Sequence, residues 1–309
     1  MADHVGGESI ATVDHISENP IDRKTIVYIW DMDETLILLK SLLDGTYAQA
    51  YGGSKDIQQA FDIGKMWEKL ILDICDRYFF YEQIEDYNQP AVKALSQYDD
   101  DADLSNYDFN QDGIGPPKDD LSKRKLAYRH RVIDNKYKQG LLSILDQKTI
   151  DQWNDVYEMT DSYTEGWLSS ARTLLQHCAS ESEHESINIL VTSGSLIPSL
   201  VKCLLFRLDN FITSENVYSA WDVGKLQCFS WIRERFNGPN VQFCVIGDGW
   251  EECEAAEILR WPFVKIEPKP DGFHRFPGLT LKTMGYYLSV VYGNSDAEHD
   301  NQVSTSTVS

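Results

Sequence analysis

Three short apolar runs punctuate the chain: TIVYIWD at 25–31, INILVTS at 187–193 and VQFCVIGD at 241–248. Each is rich in β-branched residues and ends in polar residues that lead toward a helical pattern, which predicts parallel strands in a βα array. Between the first and second runs the period changes. SKDIQQAFDIGKMWEKLILDICDRYFFYEQIED (54–86) and IDQWNDVYEMTDSYTEGWLSSARTLLQHCA (150–179) carry helical patterns. In the second, Ser162 and Glu165 have the spacing of a capping box at a helix start, weakened by Gly166. The expected fold is α/β, with a Rossmann-like parallel sheet core at 25–45 and 186–294 and a large helical cap insertion at 46–185 covering the site. Residues 1–24 and 295–309 are polar and aperiodic and are expected to be flexible tails.

Within the insertion, SQYDDDADLSNYDFNQDGIGPPKDD (96–120) carries eight Asp and two consecutive prolines, which marks an acidic loop. Asp108, Asn110, Asp112, Gly113 and Asp119 mimic the ligand spacing of an EF-hand. Pro116 and Pro117 remove backbone donors where its exit helix would begin, and no helical pattern enters it, so a structural loop is the better reading. The basic stretch KRKLAYRHRVIDNKYK (123–138) reads as a helix with a solvated cationic face. A sharper alternative is that Arg124, Arg129 or Arg131 receives a phosphopeptide.

Composition narrows the function. A length of 309 residues supports a substantial core, and 42% hydrophobic and 12% aromatic content describe a globular protein. The net charge of −21 argues against direct binding to nucleic acid or to an anionic membrane, and any anionic ligand needs a local positive site. The opening residues lack a basic segment followed by an apolar one, and no apolar run approaches the ~18 residues that span a bilayer. A soluble, unexported protein is expected, intracellular in the cytoplasm and/or nucleus. Six scattered cysteines without a C-x-x-C pair read as reduced, mostly buried thiols.

The candidate chemistry sits where the strands stop. Ligands of open α/β sheets gather outside the carboxyl ends of the strands, so Asp31, Asp33, Thr192 and Asp248 can share one crevice. Carboxylates there are hard oxygen ligands for Mg²⁺, and one carboxylate oxygen left free can attack phosphorus to give an aspartyl phosphate. Alone, each residue has a bland reading: strand-end acid, helix cap, solvated lysine, or an acid favoured in a helix's first turn for Glu252. Their weight comes from their order along the chain.

WDMDETL, a strand followed by D-x-D-x-T, resembles the first motif of the haloacid dehalogenase superfamily. NILVTS with Thr192, Lys225 in YSAWDVGKLQCF, and GDGWEE with Asp248 and Glu252 resemble its remaining motifs in order. More closely, WDMDETLILLKSLLDGTYA, DLSNYDFNQDG, KLAYRHR, LVTSGSLIPSLVKCLL, ENVYSAWDVGKLQCF and VIGDGWEE resemble the Eyes absent family over about residues 24–292.

That resemblance implies a core of haloacid dehalogenase type and a Mg²⁺-dependent protein-tyrosine phosphatase acting on a phosphotyrosyl protein or peptide. Asp31 is then the nucleophile, and Asp33 the general acid and base, with its backbone carbonyl on the metal. Thr192 and Lys225 hold phosphoryl oxygens. Asp248 binds Mg²⁺ directly, and Glu252 acts through water or by orienting Lys225. None of the six cysteines has an arginine six residues later, so the thiolate C-x5-R chemistry of other tyrosine phosphatases is excluded.

The alternatives are a small-metabolite phosphatase of the same superfamily and a transcription-linked interaction module that retains the fold. A transcription-factor partner is implied by the family alone. Direct transactivation by a long N-terminal region is not expected, because only about 24 residues precede the first strand. Leu39, Lys40, Trp250 and Cys253 depart from the animal pattern, and Trp250 is expected to narrow or reshape the leaving-group pocket.

Overall fold

The computed structural model describes residues 24–112 and 119–293. The described residues open with β1 (Thr25–Trp30) and then form α1 (Lys40–Leu43), α2 (Thr46–Ala50), α3 (Ile57–Phe79), α4 (Tyr81–Ile84), α5 (Asp120–Gln139), α6 (Gln147–Tyr163) and α7 (Trp167–Ser180). They continue with β2 (Glu185–Thr192), α8 (Leu196–Leu205), β3 (Val217–Ser219), α9 (Lys225–Arg235), β4 (Val241–Gly247), α10 (Trp250–Leu259), β5 (Phe263–Lys265) and α11 (Leu281–Tyr292). The three expected strands are β1, β2 and β4. The three-residue β3 and β5 were missed because a run that short carries no periodicity.

All strand pairs are parallel and the sheet order is β3-β2-β1-β4-β5. Direction reverses beside β1, with Trp30 flanked by Leu190 of β2 and Ile246 of β4, so the crevice of the switch point opens at the carboxyl ends of these three strands. Both sheet faces are buried. Ile26, Tyr28 and Trp30 point into a cluster with Trp67 of α3, Trp167 of α7 and Leu200 of α8, while Val27 and Ile29 join Phe229 of α9 and Ala256 of α10. This double burial is why β1 reads as a continuous apolar run and not as an alternating one. Truncating Trp30 or Trp67, both fully buried, to Ala would cost about 3–5 kcal/mol.

The described helices between β1 and β2 share the first of these clusters, so they are welded to the sheet face. Helix α3 buries Ala60, Ile63, Gly64, Trp67, Ile71 and Ile74 at helical spacing, and Asp56 caps its N-terminus by accepting from the Gln58 N–H at 2.9 Å. A Cβ on Gly64 would meet the Leu43 backbone nitrogen at 2.9 Å, so glycine is what lets α3 lie against α1. The pattern that ran to residue 86 breaks at Phe80, which takes φ 59°.

One local expectation is corrected. Ser162 does not open a helix: it lies inside α6, and the chain turns through Glu165 (φ 60°) and Gly166 (φ 84°) before α7 begins at Trp167. Asp161 supplies the cap instead, accepting from the Ser169 N–H at 2.9 Å. The basic stretch does form α5, with Arg124 and Lys138 exposed on its face and Arg129 buried. Arg124 pairs with Asp100 at 3.2 Å, Lys125 with Asp112 at 2.6 Å and Arg131 with Asp99 at 2.8 Å, while buried Arg129 stacks 3.8 Å from the Phe109 ring centroid. The acidic loop and the basic helix neutralise each other locally.

Of the EF-hand-like set, Gly113, Pro116 and Pro117 lie outside the described residues, whereas Asp119 caps α5 through the Ser122 N–H at 2.7 Å. The expected tails lie almost wholly outside them too. All six cysteines are free thiols, and all but Cys253 are buried. No helix among the described residues is long and apolar enough to cross a membrane.

Candidate active site

Asp31 is the first residue after β1. Its N–H still donates to Ile246 O at 2.9 Å, so the sheet ladder fixes its backbone, and its side chain is 8% exposed. The Lys225 ammonium, at the first turn of α9, donates to Asp31 Oδ1 at 2.6 Å and to Glu252 Oε2 at 2.7 Å. Glu252 reaches back from α10 to accept from the Gly249 N–H, which closes the turn after β4. Asp248 lies in that turn, with Thr35 donating to its Oδ1 at 3.4 Å.

Ligand atoms of Asp31, Asp248 and Glu252 lie within 4.8 Å of one another. One ammonium faces these three carboxylates, so with all three ionised two negative charges would be uncompensated. The ionisation of each group follows. Burial, reinforced by Glu252 and Asp248 and opposed by Lys225, pushes Asp31 up to about 7. Burial and Glu252 also raise Asp248. Burial acts upward on Glu252 as well, but the charge and hydrogen bond of Lys225 outweigh it and hold Glu252 below its ordinary value. For Lys225 burial disfavours the cation, and the two carboxylates more than reverse this, so it stays charged.

The other predicted residues fall around this centre. Thr192 ends β2, is buried, and accepts from the Gly194 N–H at 3.1 Å as the chain turns toward α8. Asp33 sits on the loop after β1, and its carboxylate is held at both oxygens by Lys202 of α8, at 2.7 and 2.9 Å. The carboxylate cluster is thus Asp31, Asp248 and Glu252, while the Asp33 carboxylate turns to Lys202.

Lys202 was not anticipated. Its signal was present: it is the single charged residue in α8, LIPSLVKCLL, and a lone cation in an apolar helix needs a partner. Glu34 was missed as well. It adopts φ 63°, and its buried carboxylate accepts from the N–H groups of Leu39 and Ser41 at 3.1 Å, fastening the loop that carries Asp33. Trp167 braces the same loop by donating to Thr35 O at 3.0 Å. Trp250, expected to narrow the pocket, is 74% exposed at the head of α10 and stands on the rim.

No family model matches the chain. Protein phosphatase EYA of Arabidopsis thaliana is 58% identical over 287 residues, covering 89% of this chain and 94% of the relative. The chain belongs to the Eyes absent protein phosphatase family. Protein phosphatase EYA2 of Homo sapiens is 35% identical over 82% of the chain, and protein phosphatase eya of Drosophila melanogaster 35% identical over 79%. Aligned to these two Eyes absent relatives, the chain spans 49% and 34% of their lengths. Among solved structures, a haloacid dehalogenase-like family hydrolase from Xanthomonas campestris covers 89% of this chain and 98% of its own, at 13% identity and a TM-score of 0.35. The family expected from WDMDETL and the later motifs is therefore the family found.

Proposed function

We propose that this Eyes absent chain is a Mg²⁺-dependent protein-tyrosine phosphatase with Asp31 as nucleophile. The observation that carries the reading is the cluster of buried Asp31 and Glu252 with half-buried Asp248, three acids around the single ammonium of Lys225, set at the sheet's switch point. A divalent cation fits it, because once it displaces the Asp31 proton the cluster's hard oxygen donors carry two charges beyond the one Lys225 balances, which match a small dication. Asp31 and Asp248 would hold it with the Asp33 backbone carbonyl. When bound, the cation neutralises this charge and polarises a phosphoryl oxygen.

Asp31 Oδ forms a bond to phosphorus as the bond to the phenolic oxygen breaks, and Asp33 gives that oxygen its proton. Water then attacks phosphorus, Asp33 takes the water's proton, and the Asp31 carboxylate is restored. The Thr192 hydroxyl and the Lys225 ammonium hold the transferring oxygens. Lys202 fixes the Asp33 carboxylate against α8, and the Glu34 clamp fixes its backbone. In this reading the helices α2 to α7 form the cover over the crevice. Six free thiols support residence in a reducing compartment, cytoplasm or nucleus.

The test is phosphate release from phosphotyrosyl peptides, phosphoseryl peptides and small phosphomonoester metabolites, with Mg²⁺ and with EDTA. Turnover confined to phosphotyrosine and removed by EDTA is expected. A preference for metabolites, or full turnover in EDTA, would overturn the substrate class or the metal dependence respectively.

The raised Asp31 carboxyl also sets a pH dependence. A cation can bind only after displacing its proton, so below about pH 7 the apparent Mg²⁺ affinity should fall by up to about tenfold per pH unit. Without metal, the folded state retains a proton that the unfolded chain would release. This group's contribution to stability therefore decreases as pH rises from its ordinary carboxylate range to about 7. Mg²⁺ titrations followed by melting temperature at pH 6, 7 and 8 measure the affinity directly, and an unchanged midpoint would contradict the assignment.

A further inference from the structure

Two exposed tryptophans stand beside the phosphate-holding groups. Trp221 is 66% exposed and Trp250 74%, although burial of an indole is strongly favoured. The neighbour of Trp221, Ala220, donates its N–H to Thr192 O at 2.8 Å, and Trp221 N–H meets Ser219 Oγ at 3.4 Å. Trp250 precedes Glu251, whose carboxylate accepts from the Lys225 N–H at 2.8 Å and from Ser193 Oγ at 3.3 Å. Both rings thus belong to segments bonded to the residues assigned to phosphate, at the carboxyl ends of the strands where Asp31 lies.

The charge around the rings selects what binds there. Asn88 bonds Asp222, Ser219 Oγ and the Leu196 N–H, which draws the 85–90 segment to the same edge. Asp222, Glu251 and Glu254 are exposed there, Glu254 lies one turn from Trp250 along α10, and Glu85 and Asp86 are exposed three and two residues before Asn88. Within these stretches the one cation is Lys225, which is buried against Asp31 and Glu252. A dianionic phosphate group alone meets a repelling entrance. Cationic residues flanking it would be attracted by the carboxylates and could settle on the indole faces.

We propose that Trp221 and Trp250, within this acidic rim, form a docking surface for Lys- or Arg-rich residues flanking the substrate phosphotyrosine. The inference rests on the phosphotyrosine reading above.

The test uses three phosphotyrosyl peptides that differ only in flanking residues, Lys, Ala or Glu, together with 4-nitrophenyl phosphate, which has no flanks. The wild type is expected to rank kcat/KM as Lys above Ala above Glu, through KM. In the double variant Trp221→Ala/Trp250→Ala, the ratio of kcat/KM on the Lys peptide to that on 4-nitrophenyl phosphate should fall about tenfold. Glu254→Lys, at an exposed position outside both rings, should compress the Lys-to-Glu preference with the indoles intact. Equal kcat/KM for the three peptides in the wild type, or an equal loss on all four substrates in the double variant, would overturn the docking surface and leave the phosphatase reading standing. Hydrolysis of 4-nitrophenyl phosphate with none of any phosphotyrosyl peptide would remove both.

Discussion

Asp31→Asn is expected to lower phosphotyrosyl turnover by about 10⁴-fold or more with the fold intact. An amide oxygen is too poor a nucleophile to form the bond to phosphorus, and removal of a nucleophile that works with its partners as a unit costs on this scale. Stability responds differently. Burial already favours a protonated, neutral Asp31 up to about pH 7, so a neutral amide of the same shape removes one of three competing carboxylates and leaves Lys225 its bond to Glu252. The melting temperature should stay within a few degrees of wild type. Single-turnover kinetics on a phosphotyrosyl peptide, with acid-quench mass spectrometry for phosphorylated Asp31 in the wild type, checks the first part, and a thermal melt of the variant checks the second. A variant that keeps more than about one hundredth of the wild-type rate, or still traps a phosphoryl adduct, would place the nucleophile elsewhere.

Lys225→Met should be the most destabilising substitution in the site. The ammonium contacts Asp31 and Glu252 with only 4% of its side chain exposed, and its loss strands buried carboxylates without a counter-ion. Breaking a buried pair on one side costs about 3–5 kcal/mol, which at about 2–4 °C per kcal/mol lowers the melting temperature by roughly 6–20 °C. Saturating Mg²⁺ should recover part of that loss, because the cation supplies charge to the same three acids, and EDTA should abolish the recovery. Turnover should fall by about 10²–10³-fold through loss of phosphoryl charge stabilisation. Calorimetry with Mg²⁺ and with EDTA reads the stability effect. An unchanged melting temperature would mean that Lys225 does not hold the carboxylates together.

The two predictions differ because the two residues enter the same bond from opposite sides. Asp31 is destabilised by burial and loses little when neutralised; Lys225 is retained as a cation only by its carboxylates, and they depend on it in turn. Glu252 links the site to the fold. Its other oxygen accepts from the Gly249 N–H, and a Cβ on Gly247 would lie 2.5 Å from that oxygen, so the glycine leaves room for the carboxylate to approach the end of β4.

Much of this was legible along the chain wherever a local rule decides. The continuous apolar runs at 25–31, 187–193 and 241–248 specify strands buried on both faces, and such strands put their final residues at one edge. Asp31, Thr192 and Asp248 therefore reach the crevice from strand ends, and the glycine before Lys225 opens the helix that delivers its ammonium. Local rules failed where two of them competed. Ser162 and Glu165 have capping-box spacing, but the left-handed turn at Glu165 and Gly166 starts the next helix later and leaves the cap to Asp161.

By itself the sequence determined the fold class, the order of the motifs and the residues at the strand ends, because these follow from periodicity and from chemistry within a few positions. Tertiary structure alone decided which charges meet. Lys202 finds Asp33 across 169 residues, Lys225 finds Asp31 across 194, and Arg124 and Arg131 of α5 pair with Asp100 and Asp99 of the acidic loop. The physical reason is that a desolvated charge is stable only beside its partner, and which partner lies within 3 Å is set by the packing of helices onto the sheet and not by spacing along the chain.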